Sequence, residues 1–330
     1  MEFVDVFFCS SVLPYLSRIE LNILADRFSS RAWTLSASET LCKLKHFRLY
    51  VRTDQVGNVG IMYSHLLGQK ELRTSMSEFN AVEPIYRRVS AIHIDSAEMG
   101  YDANQVRCFD MIRKHLLDHR PYFDSPALTF KMSSVFVSNH LQFFLNEGIY
   151  LGELTLSCPK LCDYVESFVK KQVDGGKLRK LRLMGAWPNT MKMSEIVEPL
   201  IAQDQLEFLK TDISKNILFG LKPFKELLEK WTANSLPYRS YSHFGNTVME
   251  QRKIMVNVDF NAANLKRYLK RTSGFSLIKR LGRRNQKSGC FIIAKSYMID
   301  NIFRLEIVFG DEPSTLEENE RYVLQPEFVF

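Results

Sequence analysis

Leu151-Gly-Glu-Leu-Thr-Leu-Ser157 and Leu178-Arg-Lys-Leu-Arg-Leu-Met184 carry one pattern: an apolar residue, two positions of any kind, then Leu-x-Leu. Apolar residues alternating over so short a run are the mark of a strand with one buried face. Looser copies fall at Val89, Ile92 and Ile94, at Leu128 and Phe130, and at Leu206 and Leu209. Aligned on the middle apolar position, the copies sit at 92, 128, 154, 181 and 209, and the last three intervals are 26, 27 and 28 residues. That spacing lies within the range of leucine-rich repeats.

The stretches between the copies change period. Val106, Phe109, Ile112 and Leu116, then Val137, Leu141, Phe144 and Leu145, then Leu161, Val165 and Phe168, all recur at about 3.6 residues. So do Ile196, Val197 and Leu200, and Leu221, Phe224, Leu228 and Trp231. Each unit therefore reads as strand, loop and helix. A strand that returns through a helix to a parallel neighbour crosses over right-handedly, so stacked units give a sheet with helices on one face. The expected fold class is α/β: an irregular leucine-rich-repeat-like strand–helix solenoid with an N-terminal helical segment and β-hairpin caps. The repeats lack a regular Asn or Cys after the strand, a place that only Cys158 approaches.

Outward from the repeats, Phe8, Val12, Leu13 and Leu16, then Leu21 and Leu24, then Phe28 and Trp33 fit two or three short helices. Phe47, Leu49 and Val51 alternate, Asp54 to Asn58 is turn-rich, and Val59, Ile61 and Tyr63 alternate again, which predicts a hairpin. Beyond Trp231, Ile254, Val256 and Val258 read as a strand, and a helix is expected from about Asn261 to Thr272, with Asn261 as its cap and Gly274 past its end. Gly289 to Lys295 and Phe303 to Phe309 read as a terminal strand pair, and Glu317, Glu318 and Glu320 make the tail acidic. The expected organisation is a helical segment over 1–45, hairpin and repeats over 46–235, and a C-terminal α/β cap over 236–330.

A chain of 330 residues with 45% apolar and 12% aromatic content can bury a substantial core. Met1 to Asp5 carry two acids and no base, and Pro14 breaks the apolar run Val6 to Leu16, so no signal peptide is expected. No run reaches the ~20 apolar residues of a membrane span. Six scattered cysteines and the lack of an Asn-x-Ser/Thr acceptor fit a reducing compartment, cytoplasm or nucleus.

Catalytic signatures are missing. There is no Gly-x-Gly-x-x-Gly, Walker loop or Gly-x-Ser-x-Gly turn. His115 and His119 share a helix face with no third ligand implied, and Cys158 and Cys162 have no second pair at zinc-ribbon spacing. Both pairs read as structural, so no metal, cofactor or catalytic residue is expected. Asp174-Gly175-Gly176 reads as a helix end.

The net charge of +7 is local: ten bases and no acid lie between Phe260 and Ile299, and the remainder is slightly acidic. Lys266, Arg267, Lys270 and Arg271 lie opposite Leu265 and Leu269 on the expected helix, and Lys279, Arg280, Arg283, Arg284 and Lys287 come next in a Gly-containing loop. The patch reads as solvated surface, with an acidic protein, nucleic acid or anionic lipid as functional alternatives.

Phe3-Val-Asp-Val-Phe-Phe8, Val12-Leu-Pro-Tyr-Leu16, Leu21, Leu24 and Ser30-Arg-Ala-Trp33 resemble a diverged F-box, with Val4-Asp5 where Leu-Pro or Val-Pro usually stands. With the hairpin, the irregular repeats and Leu227-Leu-Glu-Lys-Trp231, the chain resembles the nematode-expanded family of F-box-like and F-box-associated proteins. The resemblance implies that the helices dock a Skp-type adaptor of cullin ubiquitin ligases while distal repeats hold a substrate. Carried over, Phe8, Leu13, Leu16, Leu21, Leu24 and Trp33 are the adaptor-facing or self-packing residues. The remaining readings are a nucleic-acid-binding module using residues 266–287 and a structural scaffold without adaptor binding.

Overall fold

The computed structural model describes residues 6–16, 18–27, 30–53, 59–67, 70–95, 104–106, 123–131, 136–157, 163–185, 187, 193–203, 205–212, 217–233, 252–260, 275–278, 282–285, 291–299 and 302–310. It divides into two compact units, residues 1–132 and 133–330, each of mixed α/β structure.

The first unit opens on three short helices, α1 (Val6–Val12), α2 (Arg18–Arg27) and α3 (Arg31–Lys43). Pro14 sits in a 3₁₀ turn, Leu13–Tyr15, where a proline without an N–H fits the turn and cannot continue α1. Cys9, Leu13, Leu21, Ala37 and Leu44 form a core of their own, with Leu16, Leu24, Trp33 and Leu41 packed against it.

The unit's sheet runs β6-β4-β1-β2-β3. It is built from β1 (Lys45–Thr53), β2 (Val59–Leu67), β3 (Lys70–Thr74), β4 (Arg87–Asp95), β5 (Asn104–Val106) and β6 (Phe123–Lys131). β1 and β2 make the expected hairpin, extended by antiparallel β3, whereas β1, β4 and β6 are parallel. The short β5 also pairs with β2, through Val59, Gly60 and Ile61. Val106, expected on a helix, lies on this strand; the rest of that expected helix falls outside the described residues. Between β3 and β4, α4 (Met76–Ala81) starts in a capping box: Ser75 Oγ accepts from the Glu78 N–H (3.2 Å) and Glu78 Oε2 from the Ser75 N–H (2.7 Å). Its single buried aromatic, Phe79, stacks on Tyr63 at 4.0 Å and meets Phe47 edge-on at 4.8 Å.

The second unit alternates helix and strand: α5 (Phe136–Asn146), β7 (Glu153–Ser157), α6 (Asp163–Asp174), β8 (Lys180–Met184), α7 (Met193–Ile201), β9 (Phe208–Thr211), α8 (Leu221–Ala233) and β10 (Arg252–Val258). Strands β7 to β10 are parallel, in the register Leu154↔Leu181↔Leu209↔Ile254. The positions aligned by sequence are thus direct neighbours, as are Ile92 and Leu128 in the first unit. Successive helices pack on one another, so they share one side of the sheet. Their stripes of Val165, Phe168, Val169, Val197, Leu200 and Phe224 are buried with the strand leucines.

Beyond β10 the sheet continues antiparallel, in the order β10-β14-β13-β12-β11, through β14 (Ile302–Gly310), β13 (Phe291–Ile299), β12 (Gly282–Asn285) and β11 (Phe275–Ile278). The expected terminal pair is β13 and β14. The expected loop over Lys279–Lys287 is corrected in part: Arg283 and Arg284 lie in β12, opposite Leu277 and Ser276 of β11 and Ile292 and Phe291 of β13. Strand partners on both sides give that short run a ladder, which a local reading of glycines and bases misses. The helix expected at Asn261–Thr272 falls outside the described residues.

Helix ends are fixed as glycine predicts. After α6, Gly176 adopts φ +64°, and the Gly175 N–H reaches the Lys171 carbonyl at 3.0 Å. A Cβ on Gly175 would meet the Tyr150 ring at 2.2 Å, so no larger residue fits there without displacing Tyr150.

Candidate interaction surface

Strand alternation in the second unit leaves a second sheet face that carries polar chemistry. Opposite the leucines, one row reads Glu153↔Lys180↔Phe208↔Lys253, and the next reads Thr155↔Arg182↔Lys210↔Met255↔Glu306. These side chains are half-buried or exposed, whereas Leu154, Leu181, Leu209 and Ile254 between the two rows are buried. Lys180 pairs with Glu153 at 2.7 Å and Lys253 with Glu306 at 2.6 Å. The Arg182 guanidinium lies over the Phe208 ring, 4.9 Å from its centroid. Such exposed pairs add little stability, roughly 0–1 kcal/mol each, but they fix where charge is presented.

At the C-terminal ends of β8 to β10 the same face closes on a hydrogen-bond network. Arg304, only 4% exposed, donates to Asn257 Oδ1 (2.9 Å) and to the Thr211 carbonyl (2.6 Å). Asn257 Nδ2 donates to the Asp212 carbonyl (2.7 Å), and Asp212 Oδ2 accepts from the Gly185 N–H (2.7 Å). A guanidinium held by several oxygen acceptors in this way ties three strand ends together.

The first unit also has a polar face, organised around one carboxylate. Glu71 on β3 accepts hydrogen bonds from the Tyr50 and Ser64 hydroxyls and pairs with Arg48 at 3.0 Å. Burial works against its ionisation, but the Ser64 and Tyr50 hydrogen bonds and the Arg48 charge outweigh it and hold Glu71 below its usual range. Tyr50 is pushed up by burial and then by its bond to Glu71. His93 stacks on Tyr50 at 4.8 Å, and burial, helped by the charges of Arg48 and Lys131, pushes it down.

No family model, curated protein or solved structure matches the chain.

The sequence-expected docking residues separate into two groups. Leu13 and Leu21 are fully buried, and Leu16, Leu24 and Trp33 are packed against the same small core. Phe8 alone of the six is largely exposed, at 55%, with its ring edge-on to Trp33 at 6.3 Å. Two apolar residues that the helical spacing did not single out are exposed on the neighbouring helices, Ile23 at 38% and Leu35 at 58%. Of the basic patch, Arg283 and Arg284 are placed on β12; Lys266, Arg267, Lys270, Arg271, Lys279, Arg280 and Lys287 lie outside the described residues, as do His115, His119, Cys158 and Cys162.

Among the described residues no group of three or more His, Cys, Asp or Glu side chains could hold a metal. No helix among them is long and apolar enough to cross a membrane. The polar sheet faces were not anticipated from the sequence, although the signal was present: Arg182 and Lys210 each come directly after a repeat's aligned leucine.

Proposed function

We propose that the chain is a non-enzymatic recognition protein of the cell interior, a leucine-rich-like solenoid that holds another protein on its open sheet face. Its N-terminal helices are then an F-box-like module that docks a Skp-type adaptor of a cullin ubiquitin ligase. The observation that supports the reading best is the face of β7 to β10, where charged and polar side chains from four parallel strands stand in register while the helices pack on the opposite side. Repeat proteins bind partners on such extended faces because every unit adds the same positions to one surface.

The docking half of the reading rests on exposed apolar side chains, Phe8, Ile23 and Leu35, on a helical cluster whose core is already filled. The test is co-purification of the intact chain with a recombinant Skp-type adaptor. The expected result is a stable complex that is lost on deleting residues 1–45 and weakened by Phe8→Ser/Leu35→Ser, with the fold of the remainder retained. Absence of any complex with the intact chain would remove the adaptor role and leave an interaction scaffold.

A further inference from the structure

The open face of the second unit contains one arrangement that folding alone does not favour. Arg182 and Lys210 are direct partners in the β8–β9 register and lie on the same side of the sheet. Like charges placed opposite one another across strands are destabilising. Lys180 and Lys253 each have an acid beside them, Glu153 and Glu306, and Arg304 is held by the Asn257 and Thr211 oxygens. Arg182 and Lys210 have no acidic partner among the described residues, and Arg182 is propped on Phe208 in place of one.

The pattern across the face is also bounded. Glu153 on β7 and Glu306 on β14 stand at its two sides, separated by four strand spacings in the order β7-β8-β9-β10-β14, or ~19 Å at the usual distance between strands. A nucleic acid lays down phosphates along an extended track and needs bases along all of it. Here Lys180 and Lys253 are already neutralised by Glu153 and Glu306, so the unpaired positive charge is confined to Arg182 and Lys210 on two adjacent strands and makes no extended track. Two singly charged bases on neighbouring strands match two single negative charges carried close together on a short segment.

We infer that Arg182 and Lys210 form the docking point for an acidic segment of a partner protein, its Asp or Glu carboxylates bridging β8 and β9. This inference rests on the recognition-protein reading and names the chemistry of the segment recognised. Carboxylates arriving over the two strands relieve the Arg182–Lys210 repulsion, and Phe208 keeps the guanidinium plane supported from beneath. With Lys180 and Lys253 already paired to Glu153 and Glu306, a longer acidic tract finds no further unpaired base on these two rows, which favours a short segment.

The test exposes the intact, immobilised chain to pools of short peptides of acidic, neutral, basic and phosphorylated composition, and to single-stranded RNA. The expected outcome is enrichment of Asp/Glu-rich sequences, falling about tenfold or more in Arg182→Glu/Lys210→Glu and weakening with salt. Lys222→Glu, on the exposed side of α8, should leave enrichment unchanged although it also removes a positive charge. In the free protein, Lys210→Glu should raise the melting temperature by about 1–2 °C, because an unfavourable cross-strand pair becomes favourable. Retention confined to phosphopeptides or RNA overturns the inference, as does acidic-peptide retention indifferent to the double variant. Retention of neutral or basic sequences alone would overturn it and leave the recognition-protein reading standing; retention of nothing, together with no adaptor complex, would overturn both.

Discussion

The two units solve one problem, what to do with the solvent side of a sheet, in different ways. In the first unit Glu71 gathers Arg48, Tyr50 and Ser64 from two neighbouring strands onto one carboxylate. In the second, charges stand in separate pairs, strand by strand, with Arg182 and Lys210 left over. Antiparallel β1, β2 and β3 fold back on one another, so residues from different sequence neighbourhoods converge on one point. Parallel β7 to β10 place equivalent positions side by side and make a row. Convergence builds a local network, whereas a row builds a surface, and that difference is why the proposed recognition role falls on the second unit.

The comparison is broken most directly at the boundary between the two sides of β8. Leu181 and Arg182 are consecutive, yet one is fully buried and the other exposed. Leu181→Ala should cost roughly 2–5 kcal/mol from lost burial and the cavity left behind. Arg182→Ala should stay within about 0.5 kcal/mol, as exposed substitutions do. Urea midpoints of the two variants measure the contrast; equal losses would mean that the row is not solvent-facing.

A second test addresses what holds each unit of the row to its neighbour. Gln172 on α6 is buried and bridges the lead-in to β7: its Oε1 accepts from the Leu151 N–H and its Nε2 donates to the Ile149 carbonyl, both at 2.9 Å. Lys171 reaches the Leu145 carbonyl near the end of α5, and Gln203 reaches the Val173 carbonyl at 3.0 Å. Gln172→Leu keeps much of the volume but leaves two buried backbone groups unpaired, which should cost about 1–3 kcal/mol. Gln203→Leu removes two partly buried bonds, to the Val173 carbonyl and from the Gln205 amide, but the Gly176 N–H still reaches the Val173 carbonyl at 3.2 Å, so it should cost less. A reversed order, read from the same denaturation midpoints, would show that the staple at α6 is not what fixes the strand register.

Much of the second unit's row was legible in sequence, because a strand with one buried face repeats with period two and Leu154, Leu181 and Leu209 announce their own register. Arg182 and Lys210, each one position beyond an aligned leucine, were equally readable once the alignment existed. The Glu71 cluster was not, since it depends on how far the hairpin strands slide past one another, which the apolar alternation of Phe47, Leu49 and Val51 leaves open by two-residue steps. The strand at Val106 was not legible because Val106 shares helical spacing with Phe109, Ile112 and Leu116, which lie outside the described residues, while its pairing with β2 is a tertiary choice. α4 was overlooked for its length, although Ser75-Met-Ser-Glu78 is a capping signature. In the N-terminal helices the apolar positions were legible, but spacing alone could not distinguish Phe8, which faces out, from Leu13, which faces in.

The smallest effect, and the one that sharpens the comparison furthest, is a pH dependence confined to the first unit's face. His93 has its folded pKa pushed below the ordinary value of 6.5, by burial first and by the Arg48 and Lys131 charges after it. Well above 6.5 the ring is neutral in both states and costs nothing. As pH falls below 6.5 the unfolded chain binds a proton that the folded ring resists, so stability falls with pH until the lowered folded pKa is passed. Glu71 adds a second loss in the same direction at lower pH. Its folded pKa lies below 4.5, so the stability it gives above that value disappears as pH falls through the folded one. Unfolding midpoints between about pH 7 and pH 5 should therefore decline in the wild-type chain, in the window where histidine titrates. The decline should flatten in His93→Phe, which keeps a ring against Tyr50, and persist in Glu71→Gln, whose own effect belongs to the more acidic window. Arg182→Glu/Lys210→Glu should leave that slope unchanged, since the row contains no histidine. A wild-type slope unaltered by His93→Phe would show that the Tyr50–His93 stack does not govern the acid response of this face.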